Sequence, residues 1–333
     1  MNPEISLVIT TIQPPNAVLA TYARECATRN IRFIVIGDEK SPPDFSLEGC
    51  DFFDPGRQAE QGFTLAPLLP LNHYSRKNIG YLHAIRSGAK IILETDDDNA
   101  PNPGFFDLKP VSRIVNTFHG EGWMNVYRYF SDELVWPRGY PLHLVREPAP
   151  LPEHFHEEMA TCPIIQGMAD GAPDVDAIFR LTRPDPGPFL RKPDLALGNN
   201  AWCPFNSQNT TWSAPAFLLL YLPSTCSFRM TDIWRSFIAQ RIAWSCGWNI
   251  LFRGSTVTQK RNPHSLMHDF RDEIPGYLNN PAIAEMLSDL QLEPGEQRIA
   301  RNLVKCYEVF VARGFMEPAE LTRVSAWITD VTT

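Results

Sequence analysis

An α/β fold, with a mostly parallel central sheet flanked by helices, is what this chain of 333 residues predicts. Three observations lead there. Apolar runs of strand length alternate with longer helical patterns near the N-terminus, the signature of β-α-β units. One such run, Lys90-Ile91-Ile92-Leu93, leads straight into Glu94-Thr95-Asp96-Asp97-Asp98-Asn99, so three consecutive carboxylates stand behind an apolar strand. Ligands of open α/β sheets bind beyond the carboxyl ends of the strands, which is where this acidic run falls.

Taken in order, Ile5-Ser6-Leu7-Val8-Ile9-Thr10 has a buried-strand pattern, and a loop with Pro14-Pro15 separates it from a helix expected over 17–30. A second strand is expected over 31–38. From Asn72 to Ile85, apolar residues at 79, 82 and 85 and a stop at Gly88 predict an amphipathic helix. The strand at 90–94 follows. Between 134 and 193 prolines stand at 137, 141, 148, 150, 152, 163, 173, 184, 186, 188 and 193, a density that a regular helix or central strand does not carry. This segment is expected to be an insertion or lid, ordered by Trp136, Tyr140, Phe155, Phe179 and Phe189. A helix over 231–246, with Ile233, Trp234, Phe237, Ile238 and Ile242 on one side, precedes a strand over 249–253 and helices over 281–290, 296–313 and 318–330. The expected division is a catalytic domain, 1–275, and a helical extension, 276–333.

Apolar content of 44% with 11% aromatic residues excludes a disordered chain. The net charge of −8 argues against non-specific nucleic-acid binding and against an anionic membrane surface, so an anionic ligand would need a local basic patch. The seven cysteines, at 26, 50, 162, 203, 226, 246 and 306, form no CxxC pair and no even disulfide framework, which favours reduced thiols and a cytoplasmic protein. Met1-Asn2-Pro3-Glu4 passes into a strand without the flank of a signal peptide. The apolar run 216–222 is far shorter than the ~20 residues of a membrane helix, so no integral membrane segment is expected.

Adjacent carboxylates repel one another, and near a buried strand end a divalent cation offsets that repulsion. An oxygen-rich cluster suits Mg²⁺ or Mn²⁺, which would in turn hold a diphosphate. A solvated acidic turn is the competing reading. Arg76 and Lys77 open the preceding helix, where its dipole and their own charge favour phosphate. Asp174 and Asp176, if extended, point to one side and suit a hydroxyl-rich sugar, although a polar turn explains them too. Asp232 opens an amphipathic helix, as an N-cap acid would. His264 and His268 are four apart, a zinc-like spacing that lacks an HExxH or a third nearby ligand.

The helix start Arg76-Lys77-Asn78-Ile79-Gly80, followed by a strand ending in a DxD motif, resembles the nucleotide-diphospho-sugar transferases of the glycosyltransferase-A fold. Within that class, Gln166-Gly167-Met168, Pro173-Asp174-Val175-Asp176-Ala177-Ile178-Phe179-Arg180-Leu181, Pro204-Phe205-Asn206-Ser207-Gln208-Asn209-Thr210 and Thr231-Asp232-Ile233-Trp234-Arg235 resemble the STELLO-type glycosyltransferases. The resemblance runs from about residue 5 to residue 275. It implies that Asp98 coordinates a cation, Mn²⁺ or Mg²⁺, bridging the donor diphosphate, and that Asp96 shares the metal or binds the ribose. Asp97 is a donor-site residue without a fixed role. Asp38 resembles the acid that recognises the base, and Thr10 and Thr11 would contact the nucleoside. Asp232 takes the position of the general base of inverting enzymes, with Asp174 and Asp176 as further catalytic candidates, and His264 or His268 resembles a C-terminal metal histidine. Eukaryotic members are membrane-anchored, so this chain reads as a bare catalytic core.

The expected function is metal-dependent transfer of a sugar, with inversion, from a nucleotide sugar to a carbohydrate or other hydroxyl acceptor. Two alternatives stand beside it: a nucleotide-sugar mutase of the reversibly glycosylated polypeptide type, and a non-catalytic sugar- or partner-binding protein on the same fold.

Overall fold

The computed structural model describes residues 4–148, 154–262 and 265–333. The N-terminal half runs β1 (Ile5–Thr10), α1 (Ala17–Thr28), β2 (Arg32–Ile36), β3 (Asp51–Phe53), α2 (Pro55–Ala59), α3 (Lys77–Arg86) and β4 (Ile91–Thr95). It continues through β5 (Asn99–Pro101), β6 (Ser112–Phe118), β7 (Gly122–Trp123), α4 (Val126–Tyr129), β8 (Phe155–Thr161), β9 (Ile164–Gly171), α5 (Ala177–Thr182), β10 (Leu195–Leu197), β11 (Ala201–Trp202) and β12 (Asn209–Ser213). The chain closes with α6 (Thr231–Ser245), β13 (Ile250–Gln259), α7 (Leu266–Asp289), α8 (Ile299–Ala312) and α9 (Ala319–Thr332).

The main sheet has the order β3-β2-β1-β4-β12-β9-β13-β10-β6-β8, with β5 added against β13. Its first four strands are parallel, and Leu7 stands level with Phe33 and Leu93. Side chains alternate across a strand. Leu7 and Ile9 therefore join α1 through Leu19 and Tyr22, while Val8 joins Ile79 and Leu82 of α3 on the other face. A Cβ on Gly80 would stand 2.6 Å from Val8 and 2.9 Å from Ile36, so glycine lets α3 lie directly on the sheet. In the second half β12 is antiparallel to both β4 and β9, whereas β9 with β13 and β10 with β6 are parallel. The parallel half is the one that brings β1 and β4 to the acidic run.

Three expectations change. The helix over 72–88 is split into a 3-10 turn, Tyr74–Arg76, and α3, and it is buried on nearly every side because α9 and the 3-10 segment Ala214–Leu220 pack against it. The proline-rich segment is not a lid: it contributes β8 and the interior strand β9, with Pro163 between them and Pro173, Pro184, Pro186, Pro188 and Pro193 outside regular strands and helices. Finally, the boundary at 275/276 falls inside α7, which continues through Pro275 and Pro281. Each proline removes a backbone donor. Tertiary bonds hold α7 instead, with Asn280 donating to Gly139 and accepting from Trp234. Ile283, Leu303 and Trp327 share one core with Ile79 and Trp234, so the C-terminal helices pack into the same core as the N-terminal half.

Candidate active site

Directly behind the acidic run, Glu94 is fully buried and paired with Arg235 of α6 at 2.8 Å. Trp212 donates to the same carboxylate at 2.8 Å, and the Tyr81 hydroxyl donates to its other oxygen. Lys77 is also fully buried. Its ammonium donates to the Tyr74 hydroxyl and the Thr95 carbonyl, both at 2.9 Å, and stands 3.6 Å from Asp96. These contacts fix the end of β4, and the next three residues open into a cleft of about 580 Å³. Cavities of roughly 300–1,000 Å³ are the ordinary size for small ligands.

Asp96, Asp97 and Asp98 all line this cleft, beside Thr10, Thr11 and Asp38. Thr11 donates to Asp97 at 2.5 Å, and Tyr74 donates to Asp96 at 3.1 Å. Gln259 donates to Asp98 at 3.0 Å. Burial pushes the Asp96 carboxyl up to about 7; Lys77 opposes this, and the charges of Asp98 and Asp97 add to it. Burial also raises Asp97, against the hydrogen bond from Thr11. No group of three or more His, Cys, Asp or Glu residues converges as a complete metal cage among the described residues. The carboxylates still fit a hard cation of the Mg²⁺ type, which takes one or two carboxylates and completes its shell with water and substrate phosphates.

The base-recognition candidate Asp38 accepts from the backbone of Glu39 at 2.8 Å and of His73 at 3.1 Å. Arg76 lines the cleft, but its Nε donates to Gln58 and its Nη1 to the Ala66 and Leu69 carbonyls. Arg76 and Lys77 thus spend their donors inside the fold, which corrects the expectation that both meet phosphate. The other basic residues that line the cleft are Lys40, Arg138, Arg180, Arg229 and Arg261.

On the far wall, Arg138 bridges two carboxylates. Its Nε and Nη2 donate to Asp174 at 2.8 and 2.7 Å, and its Nη1 and Nη2 donate to Asp232 at 3.0 and 2.9 Å. Burial pushes the Asp232 carboxyl up, but Arg138 outweighs it and, with Arg235 and Arg229 behind, holds the group at about 2. The Ser207 backbone N–H donates to Asp232 at 3.2 Å, and the Ser207 hydroxyl donates at 2.6 Å to Tyr74, whose own proton goes to Asp96. A chain of hydrogen bonds therefore joins the acidic run to Asp232. The family-like stretches meet here as well: Gln166 bonds Asn206 and Thr210, and Phe205 donates to Ser236 of α6.

Asp176 does not share a side with Asp174. It is the N-cap of α5, fully buried, accepting from Phe179 at 2.7 Å and Trp136 at 2.6 Å, and it does not line the cleft. The catalytic assignment of Asp176 is therefore corrected to a cap. Burial raises its carboxyl to about 7, against the bonds from Phe179 and Trp136. A folded value above the unfolded ~3.9 adds stability that is complete below pH ~4 and is lost as pH rises through about 7. We expect Asp176→Asn, which does not titrate, to trail wild type most in melting temperature near pH 4 and progressively less towards pH 8. A gap independent of pH would contradict this.

His268 lies exposed in the first turn of α7 and does not line the cleft, so its metal assignment fails; His264 lies outside the described residues. Sequence reasoning missed Arg138, Tyr74, Ser207, Gln259 and Phe228. Ser207 lay in a quoted family-like stretch without a role, and Tyr74 lay beside the basic pair. Arg138 carried no local signal. Phe228 is 48% exposed in the cleft, edge-on to His73 and Tyr74, and presents an apolar ring to it.

A parallel α/β half whose strand tips carry an acidic run above a ligand-sized cleft is a glycosyltransferase-A-like architecture. Comparison with known families agrees: residues 229–333 match the family described as STELLO glycosyltransferases. Two Arabidopsis thaliana proteins are similar over most of this chain. "Probable glycosyltransferase STELLO2" is 29% identical over 318 residues, covering 90% of this chain, and "Probable glycosyltransferase STELLO1" is 28% identical over 323 residues, covering 91%. The chain spans 41% of the length of each relative. The resemblance to STELLO-type glycosyltransferases read from the motifs is thus borne out. Among the described residues no helix is long and apolar enough to cross a membrane.

Proposed function

We propose that this protein is a metal-dependent glycosyltransferase that moves a sugar from a nucleotide sugar to a hydroxyl acceptor in the cleft between the acidic run and Asp232. The observation that carries the reading is the opening of Asp96, Asp97 and Asp98 into the same cleft as Asp232 and Asp174. Asp98 and Asp96 would hold Mn²⁺ or Mg²⁺, which, when bound, neutralises charge on the departing nucleoside diphosphate. Thr10, Thr11 and Asp38 lie where a nucleoside would rest, next to the strand tips.

In the reaction the bond between the anomeric carbon and the donor phosphate oxygen breaks, and its electron pair leaves with the diphosphate. The acceptor oxygen bonds to the anomeric carbon and sheds its proton. Asp232, held at about 2, is a weak base towards a neutral hydroxyl. Once the carbon–oxygen bond has formed, however, the acceptor oxygen is positively charged and far more acidic than a carboxylic acid, so this carboxylate can take its proton late. Direct attack of this kind inverts the anomeric centre. Asp232→Asn should lower turnover about 10²–10⁴-fold with donor affinity retained, and near wild-type turnover would move the base elsewhere.

Chromatography of the products separates this reading from the mutase. Nucleotide sugar with acceptor should yield free nucleoside diphosphate and a glycosylated acceptor. An isomerised sugar still attached to its diphosphate would overturn the transferase, and absence of turnover despite donor binding would favour a binding protein.

A further inference from the structure

We propose that the acceptor-side wall of the cleft carries an oxyanion subsite, formed by Arg180, Arg229 and Arg261, which takes a phosphate or carboxylate group borne by the acceptor. The proposal deepens the transferase reading and rests on it. Arg180, Arg229 and Arg261 all line the cleft, and they come from separate parts of the chain: α5, the turn before α6, and the segment after β13. Their ion pairs lead away from the acidic run. Arg180 meets Asp185 at 3.5 Å, Arg229 meets Glu273 at 2.9 Å and Asp174 at 3.7 Å, and Arg261 meets Asp269 at 2.5 Å. Among the described residues none of the three pairs with Asp96, Asp97 or Asp98.

These bonds leave donors unspent. The Arg180 side chain is 9% exposed, its Nη2 donates to the Pro173 carbonyl at 2.6 Å, and its buried Nε has no partner among the described residues. The buried Nη1 of Arg261 has none either. A buried N–H without an acceptor is costly, and guanidinium forks match the paired oxygens of phosphate and carboxylate. Burial pushes the Arg180 guanidinium down to about 10, with the charge of Arg261 adding to the effect, Asp174 opposing it and Arg229 adding further. An oxyanion seated in the cleft beside Arg180 and Arg261 would relieve that repulsion. Asp185, the ion-pair partner of Arg180, is 69% exposed on its side chain and so is screened by solvent.

Calorimetric titration of inorganic phosphate tests the proposal, first into the protein alone and then into protein saturated with nucleoside diphosphate and Mg²⁺. We expect phosphate to bind in both cases. Arg180→Gln and, separately, Arg261→Gln should weaken it about tenfold or more, while the unchanged Mg²⁺-dependent nucleotide affinity certifies the fold. Parallel titrations of glucose 6-phosphate, glucuronate and glucose identify the group, the two anions binding more tightly than glucose. Failure of phosphate to bind, or equal binding in the variants, overturns the subsite. Loss of phosphate binding on nucleotide saturation overturns it in favour of the donor diphosphate. Absence of nucleotide binding with phosphate binding intact would count against the transferase reading instead.

Discussion

Arg138→Met is expected to destabilise the protein by about 3–5 kcal/mol, because it strands two carboxylates that share one guanidinium. Arg138, Asp174 and Asp232 are each at least nine-tenths buried as whole residues. Four charge-assisted bonds between 2.7 and 3.0 Å vanish together. Domains of this kind retain only ~5–15 kcal/mol in total, so the loss would be plain in chemical denaturation. Arg138→Lys keeps the charge without the fork and should recover part of it. The sign of the pH dependence follows from Asp232, which sits at about 2, below its unfolded value of ~3.9. Its contribution is present above pH ~4 and is lost as pH falls towards 2, so the gap between wild type and Arg138→Met should narrow over that interval. A gap of less than about 1 kcal/mol at neutral pH would mean that the bridge is not a structural element of the far wall.

Asp98→Ala should reduce turnover by at least about 10²-fold, since it removes a carboxylate expected to hold the cation that stabilises the leaving diphosphate. The fold should survive. Asp98 is half-buried and its side-chain partners, Gln259 and the Asn262 backbone, lie at the cleft rim. By contrast, the Glu94 and Arg235 pair beneath it belongs to the core.

Much of the N-terminal parallel half was legible in the sequence. Ile5–Thr10 and Ile91–Thr95 are short apolar runs, and such runs are buried on both faces in a parallel sheet. The acidic run could be placed because topology puts strand ends at the ligand side. Elsewhere local signals misled for identifiable reasons. The prolines of 134–193 suggested irregular structure throughout, yet they punctuate the connections around β8 and β9. The helix expected over 281–290 belongs to the much longer α7, which Asn280 and the surrounding core carry past Pro275 and Pro281. Lys77 read as a phosphate-facing cation at a helix start and is instead enclosed by Tyr74 and Thr95. The Asp232 position was visible, but its chemistry is set by Arg138, 94 positions away in the chain. Long-range charge pairing of that kind leaves no periodic trace in a sequence.

The central claim is that the acidic run binds a nucleoside diphosphate through a divalent cation, and calorimetry of wild type and Asp98→Ala with and without Mn²⁺ tests it most directly. A panel of nucleoside diphosphates is titrated into each protein, and binding to the native state is checked by a rise in melting temperature. The account predicts that Mn²⁺ strengthens nucleotide binding to wild type, and that Asp98→Ala keeps the fold but loses this Mn²⁺-dependent part. Equal nucleotide affinity in the two proteins with Mn²⁺ present would contradict it.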